Sequence, residues 1–343
     1  MTTSNFLNPQ STGLYVNTQA KHIKFNKSGA DKVAEIIYKA IVNDGFGNNM
    51  WQTSDLNPRD QSEQEMINWI FFVDTANFSF WPDEGDVKFG VKDHKGKLQT
   101  GQMSLCAAVN RALREGIPVT DAKFMANATM EQFQMIFRSD TDGKMTLLGE
   151  RLKAINEAGK VLLDKFSGSF SFCVMRAEKD VQRLIHIITD NFESYRDMCQ
   201  YEDKTVSFLK RAQLLVADVW KCLGGKGLGE FSNIRSISML ADYRVPQSLV
   251  AFDVLHYDDE LKNLLKSKIP IIPGDYVESE IRGMSIYAVE KVLEQIEELA
   301  RDDGRRNIEV NAVVVDYFLW GWARNNRVLV DVLPFHRCRT IYY

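Results

Sequence analysis

Apolar residues recur at helical spacing along most of the chain, and that pattern predicts a mainly α-helical protein. Val33, Ile36, Ile37, Ala40 and Ile41 make one stripe, which predicts a helix from about Asp31 to Asn43 with Ser28 as its cap. Residues 1–30 read as an extended arm with short structure. Met66, Trp69, Ile70 and Val73 predict a helix from about Ser62 to Val73. Ser104 to Leu113 reads as a small-residue helix ending near Gly116, with Pro118 as its stop. Thr129-Met-Glu-Gln132 has capping-box form and opens a short helix to about Phe137. Beyond residue 145 the periodicity predicts helices over about 145–165, 178–192, 205–222, 246–255, 258–266, 278–300 and 309–325. One β-hairpin interrupts the pattern near residues 86–101. Val87, Phe89 and Val91 alternate, Asp93-His-Lys-Gly96 turns, and Leu98 returns. Asp74 to Pro82 packs polar and aromatic residues together, with an alternation at Phe78 and Phe80 that predicts extended chain.

The sharpest break is Gly224-Gly-Lys-Gly-Leu-Gly229. It is not a P-loop, because Lys226 is followed by Gly227 and no strand precedes it. A helix–hairpin–helix turn fits better. No internal repeat or Pro-rich linker divides the chain. Its 343 residues are enough for about two domains at ~150 residues each, or for one large one. The expected division is an N-terminal helical lobe with the hairpin, 1–145, and a second helical lobe, 146–343.

Composition changes this picture little. Hydrophobic residues make up 45% and charged residues 26%, as in ordinary globular domains. A net charge of -4 provides no global field for a nucleic-acid backbone, so no stable nucleic-acid partner is expected. The five cysteines form no CxxC pair and the five histidines are scattered. No metal site, cofactor or disulfide framework is therefore expected, and a reducing, cytoplasmic location is the expectation. Neither a secretory leader nor an apolar run of ~20 residues is visible, so no membrane association is expected.

Four stretches could carry chemistry. In Ser236-Ile-Ser-Met-Leu-Ala-Asp-Tyr-Arg-Val-Pro-Gln247 an apolar run delivers one carboxylate, Asp242. Such a group must be paired, hydrogen-bonded or protonated. It reads either as a cap for the helix beginning near Pro246 or as a catalytic carboxylate. Asp316 stands among Ala312, Val313, Leu319 and Trp320 on one helix face. Either it pairs with an internal arginine such as Arg282 or Arg244, or it faces a ligand with N–H donors or positive charge. Lys210 and Arg211 are either solvated surface or a phosphate site. The C-terminal Leu333-Pro-Phe-His-Arg-Cys-Arg-Thr-Ile-Tyr-Tyr343 is too rich in aromatic and basic residues for a frayed end, and reads as docked, with His336, Arg337 and Arg339 as candidate anion contacts. Asn77 and Phe78, with Tyr243, are candidate pocket walls for a flat ligand, and the alternative for the first two is an aromatic core turn. Carboxylates, aromatics and a few basic groups suit cleavage of an N-glycosidic bond, whose transition state is oxocarbenium-like.

The chain resembles the queuosine salvage protein family, the queuosine 5′-phosphate N-glycosylases. The resemblance runs through Leu56-Asn-Pro58, Asp74-Thr75 with Asn77-Phe-Ser-Phe-Trp81, Ser104 to Leu113 and Phe137-Arg-Ser-Asp-Thr-Asp142. It continues in Lys210-Arg-Ala-Gln213, Ala241-Asp-Tyr-Arg244, Glu280-Ile-Arg-Gly283, Asp316-Tyr317, Leu319-Trp320 and Pro334-Phe-His-Arg337. It implies a single queuosine salvage unit over 1–343 with a helical fold like that of the helix–hairpin–helix DNA glycosylases. It implies hydrolysis of queuosine 5′-monophosphate to queuine for reuse in tRNA, with that nucleotide as the partner and no cofactor. The family's catalytic Asp falls on Asp242, as nucleophile or oxocarbenium stabiliser. Its base-site residues fall on Leu240, Ala241, Asp316 and Tyr317, and Lys210 matches a family lysine assigned to phosphate, with His336 and Arg337 as further candidates. Gly321 stands where animal members often have Asp, and Ser54 where some have His. The alternatives are a DNA or RNA glycosylase, or a non-catalytic member that binds queuine or its nucleotide.

Overall fold

The computed structural model describes residues 6–343 except 48, 306, 307 and 309. Among them stand fifteen α-helices and three two-stranded antiparallel sheets, so the chain is mainly helical, as its periodicity predicts. The helices and strands fall into two compact units, each discontinuous in sequence. The first takes Met1–Asn48, Asp197–Gln213 and Ile234–Thr340; the second takes Asn49–Arg196, Leu214–Asn233 and Ile341–Tyr343.

The first unit opens with α1 (Pro9–Gln19), β1 (Ile23–Phe25) and α2 (Lys27–Asp44). The expected extended arm is therefore largely α1. Asn8 caps it by accepting from the Ser11 N–H, and Pro9 suits a first turn. Its buried face is Pro9, Thr12, Gly13 and Val16, too small and polar to register as an apolar stripe. The cap of α2 is Asn26, whose side chain accepts from the Ser28 N–H, in place of the expected Ser28. Gly45, at φ 64°, ends that helix in the left-handed conformation glycine favours.

The second unit holds α3 (Glu63–Thr75), β2 (Gly90–Lys92), β3 (Leu98–Thr100), α4 (Gln102–Arg114), α5 (Ala122–Asn127), α6 (Met130–Ile136), α7 (Leu148–Lys165), α8 (Ser171–Arg176) and α9 (Val181–Asn191). Helix α3 starts in a Ser62/Glu65 capping box and α6 in the expected Thr129/Gln132 box. The hairpin pairs Val91 with Gln99. Phe71 of α3 stacks on Phe170 with ring centres 4.5 Å apart. Arg151 of α7 is fully buried and donates to the carbonyls of Ala76, Phe78, Ser79 and Thr146, which fixes the non-helical stretch from Asn77 to Pro82; Asp74 and Thr75, expected in extended chain, instead complete the last turn of α3.

The first unit resumes with β4 (Met198–Tyr201) and β5 (Lys204–Ser207), a hairpin where a helix from about 205 was expected. Thr205 and Val206 are β-branched, which favours strand over helix. Helix α10 (Lys210–Cys222) contributes Lys210–Gln213 to the first unit and its remainder to the second. The glycine turn follows, with Gly224, Gly225 and Gly227 at positive φ. Residues 230–244 contain no α-helix, so this turn does not lead directly into a second one. Then come α11 (Val245–Ala251), β6 (Leu255–Tyr257), α12 (Asp259–Ser267), α13 (Tyr276–Asp302), α14 (Ala312–Asn325) and α15 (Arg327–Val330). The expected start of α14 at 309 lies outside the described residues.

Helix α13, 27 residues long, is the axis of the first unit. Helices α1 and α2 pack along it. Gly283 of α13 lets α1 approach: a Cβ there would stand 2.5 Å from Val16 Cγ2. Glu280, one turn earlier, accepts from the Lys21, His22 and Ile23 N–H groups at 2.7–3.0 Å and so docks β1. The tail is docked as expected. Ile271 bridges to Cys338 within the first unit, and in the second the Tyr343 carbonyl accepts from the Ser79 N–H at 2.8 Å. Among the described residues no helix is long and apolar enough to cross a membrane.

Candidate active site

The segment Ile237–Asp242 lies between the glycine turn and α11 and has no regular secondary structure, so its backbone polar groups need other partners. Ile237, Ser238, Met239, Leu240 and Ala241 are all buried. Three helices supply the partners. Gln213 Oε1 of α10 accepts from the Ser238 N–H at 2.7 Å, and its amide nitrogen reaches the Met239 carbonyl at 3.4 Å. Asp316 Oδ1 of α14 accepts from the Leu240 N–H at 3.0 Å. Arg282 Nε of α13 donates to the Ala241 carbonyl at 3.0 Å. Asp242 Oδ1 itself accepts from the Arg244 and Val245 N–H groups, at 2.7 and 2.9 Å, where α11 begins.

This arrangement settles the local role of Asp242. One carboxylate oxygen holds the start of α11, as the capping reading expects. The residue keeps some solvent access, but its carboxyl is densely surrounded, and burial is the leading cause that raises its pKa above the ordinary range. The charge of Lys210 opposes this, as do the two N–H donors and then the charge of Arg244. An anchored carboxylate with a lysine charge in range can face developing positive charge without losing its orientation.

Asp316 is buried, and its Oδ1 accepts from a backbone N–H of the Asp242 segment. Of the two arginines named as candidate partners, Arg282 pairs with Asp197 and Glu278 and Arg244 pairs with Asp331. Tyr317 follows on α14, half-buried, its ring centre 6.4 Å from that of Trp320. At Gly321 an added Cβ would meet nothing within 4 Å, so the missing carboxylate leaves open space.

Lys210 and Arg211 are both buried, which overturns their reading as a solvated pair. Tyr243 packs on Phe335 at 4.8 Å, and the Arg244 guanidinium lies 4.6 Å from the Phe335 ring. His336 is buried, and desolvation followed by the charge of Arg282 lowers its pKa to about 3, so it is neutral near pH 7. Arg337 is half-buried, and its carbonyl accepts from the Ile271 N–H.

Leu240, Ala241, Asp242, Tyr243, Asp316, Tyr317, Lys210, His336 and Arg337 thus all belong to the first unit. Asn77 and Phe78 belong to the second, as does Ser54, whose hydroxyl accepts from the Leu56 N–H. Both Asn77 and Phe78 are buried; Asn77 approaches Asp74 at 3.4 Å and Phe78 lies 4.3 Å from the Arg151 guanidinium. Sequence reasoning missed Asp197 and Glu278. The i, i+4 spacing of Glu278 and Arg282 is a usable signal. Asp197, in Tyr195-Arg-Asp-Met198, gives none.

The queuosine salvage protein family model matches residues 56–343. A bovine protein named queuosine 5′-phosphate N-glycosylase/hydrolase is 42% identical over 340 residues, covering 98% of this chain and 99% of its own. The mouse protein of the same name is 43% identical over 339 residues, with the same coverage. One from the bacterium Sphaerobacter thermophilus is 35% identical over 280 residues, 82% of each chain.

Proposed function

The chain belongs to the queuosine salvage protein family, and from that premise we propose that it hydrolyses queuosine 5′-monophosphate to queuine and ribose 5-phosphate. The observation that carries this reading is the anchoring of Asp242 by one oxygen, in a segment whose flanking N–H and carbonyl groups are held by Asp316 and Arg282.

Queuine is a 7-deazaguanine, so its ring has no N7 to protonate as it leaves. The barrier must be lowered from the sugar side, where a carboxylate stabilises the oxocarbenium-like centre or attacks it. Asp242 fills that role. Leu240, Ala241 and Tyr317 form the base site with Asp316, whose charge suits the cationic aminomethyl arm or the guanine-like N–H donors. Tyr243 serves as a wall. Lys210 and Arg337 hold the 5′-phosphate, while His336, being neutral, offers a ring N–H and no charge. The likeness to helix–hairpin–helix DNA glycosylases belongs to the same reading, supported by α10 and the glycine turn ahead of Asp242. A cytoplasmic setting is supported by the free thiols.

The test is direct. Purified protein is incubated with queuosine 5′-monophosphate, queuosine or queuosine-containing tRNA, and free queuine is measured. Release from the monophosphate is expected. No release from it sinks the proposal, and release from intact tRNA favours a nucleic-acid glycosylase.

A further inference from the structure

We propose that Arg282 is a positioning residue for this reaction, and that its ion pair with Asp197 ties the Asp242 segment to the turn that presents Lys210. The inference rests on the proposed function.

The Arg282 side chain is 2% exposed and uses both edges of its guanidinium. Nε donates to the Ala241 carbonyl, the peptide group that leads directly into Asp242. Nη1 and Nη2 grip Asp197 at 2.9 and 2.6 Å, and Nη1 also reaches Glu278 at 3.1 Å. The ring of Phe208 lies 4.0 Å from the guanidinium. Asp197 then turns to the other side of the site. Its Oδ2 accepts from the Lys210 N–H at 3.1 Å, and its carbonyl accepts from the Phe208 N–H at 3.0 Å. Leu209, between them, has φ 49°, a left-handed conformation that costs a branched residue energy and persists only where its surroundings impose it.

The outcome is one rigid connection from the Asp242 peptide to the Lys210 backbone. Only a planar fork with separate donor edges can hold a carbonyl on one side and a carboxylate on the other. Arg282 stands between two buried carboxylates, Asp197 and Glu278, so removing the arginine takes away the cation that both of them share. A core that needed only bulk here would be filled more cheaply by apolar side chains. The geometry therefore assigns the ion pair to orientation: Lys210 bears on Asp242 by charge, and the distance between them depends on this connection.

Arg282→Ala, Arg282→Lys and the near-isosteric Asp197→Asn test the proposal. Queuine release from queuosine 5′-monophosphate is measured on protein shown to be folded by circular dichroism and a cooperative melt. The expected result is a kcat lower by on the order of 10²-fold, the scale of a small misplacement, with KM changed by less than about threefold. Millimolar guanidinium should raise the rate of the Arg282→Ala protein and leave the wild type unchanged. Folded variants within about twofold of wild-type kcat would overturn the proposal. So would a loss confined to KM. If none of the three folds, it is overturned as well, since the pair would then hold the fold and not the site. An inactive wild type would defeat the proposed function instead.

Discussion

Asp242 fills the capping role, one of the two that its sequence context presents as rivals, and the proposed reaction asks the same carboxylate to serve the other. Its Oδ1 takes the two N–H groups at the start of α11, and its ionisation is opposed by burial and favoured by Lys210. The pKa in the folded protein is raised above the unfolded value. The stability that this group contributes is therefore fully present below the ordinary carboxylate pKa of about 3.9, and is lost as pH rises through the folded value. As pH rises above the ordinary carboxylate value, the group therefore works increasingly against the fold. Asp242→Asn keeps an oxygen for both N–H groups and removes the charge. It is expected to melt at a higher temperature than wild type at pH 7, with the gap closing towards pH 4, while queuine release falls by about 10²-fold or more. Melting curves across pH, with turnover on the same samples, check both parts. Unchanged turnover would leave Asp242 with the cap alone.

At the scale of elements, close approach decides what periodicity cannot. Two glycines on neighbouring helices predict opposite outcomes for the same substitution. Gly283→Ala on α13 drives a methyl into Val16 of α1 and should destabilise the protein by about 1–3 kcal/mol, the usual range for overpacking. Gly321→Ala on α14 meets nothing within 4 Å and should stabilise by up to about 1 kcal/mol through helix propensity. Urea denaturation of both variants tests the pair; equal signs would mean that space does not govern these positions. The same contrast explains which elements could be read in advance. Helices α3, α7 and α13 carry apolar stripes and were legible, and α4 was legible from its run of small residues and its stop at Gly116 and Pro118. Helix α1 was not, because the face it turns to α13 is small and polar. The β4–β5 hairpin was hidden because its residues run straight into the stripe of α10.

For the molecule as a whole, net charge bears on which partners are drawn in. With a net charge of -4 the protein lacks the broad positive field that draws in a polyanion. It is expected to show no salt-dependent retention of tRNA in a mobility-shift assay between about 50 and 200 mM salt, and to meet its substrate as a mononucleotide. Tight tRNA binding that weakens steeply with salt would contradict this. The sequence by itself determined a helix-rich chain, the order of its motifs and, through them, the family; the residues proposed for a catalytic carboxylate and a base site come from the same motifs. Helical periodicity and motif spacing are local, so they survive in one dimension. Tertiary structure alone decided that Lys210 and Arg211 are buried, that Asp316 holds the Leu240 N–H, and that His336 is neutral. It alone brought Asp197, 85 residues away in sequence, to Arg282. Burial and charge pairing depend on which distant segments pack together, and that information exists only once the chain has folded.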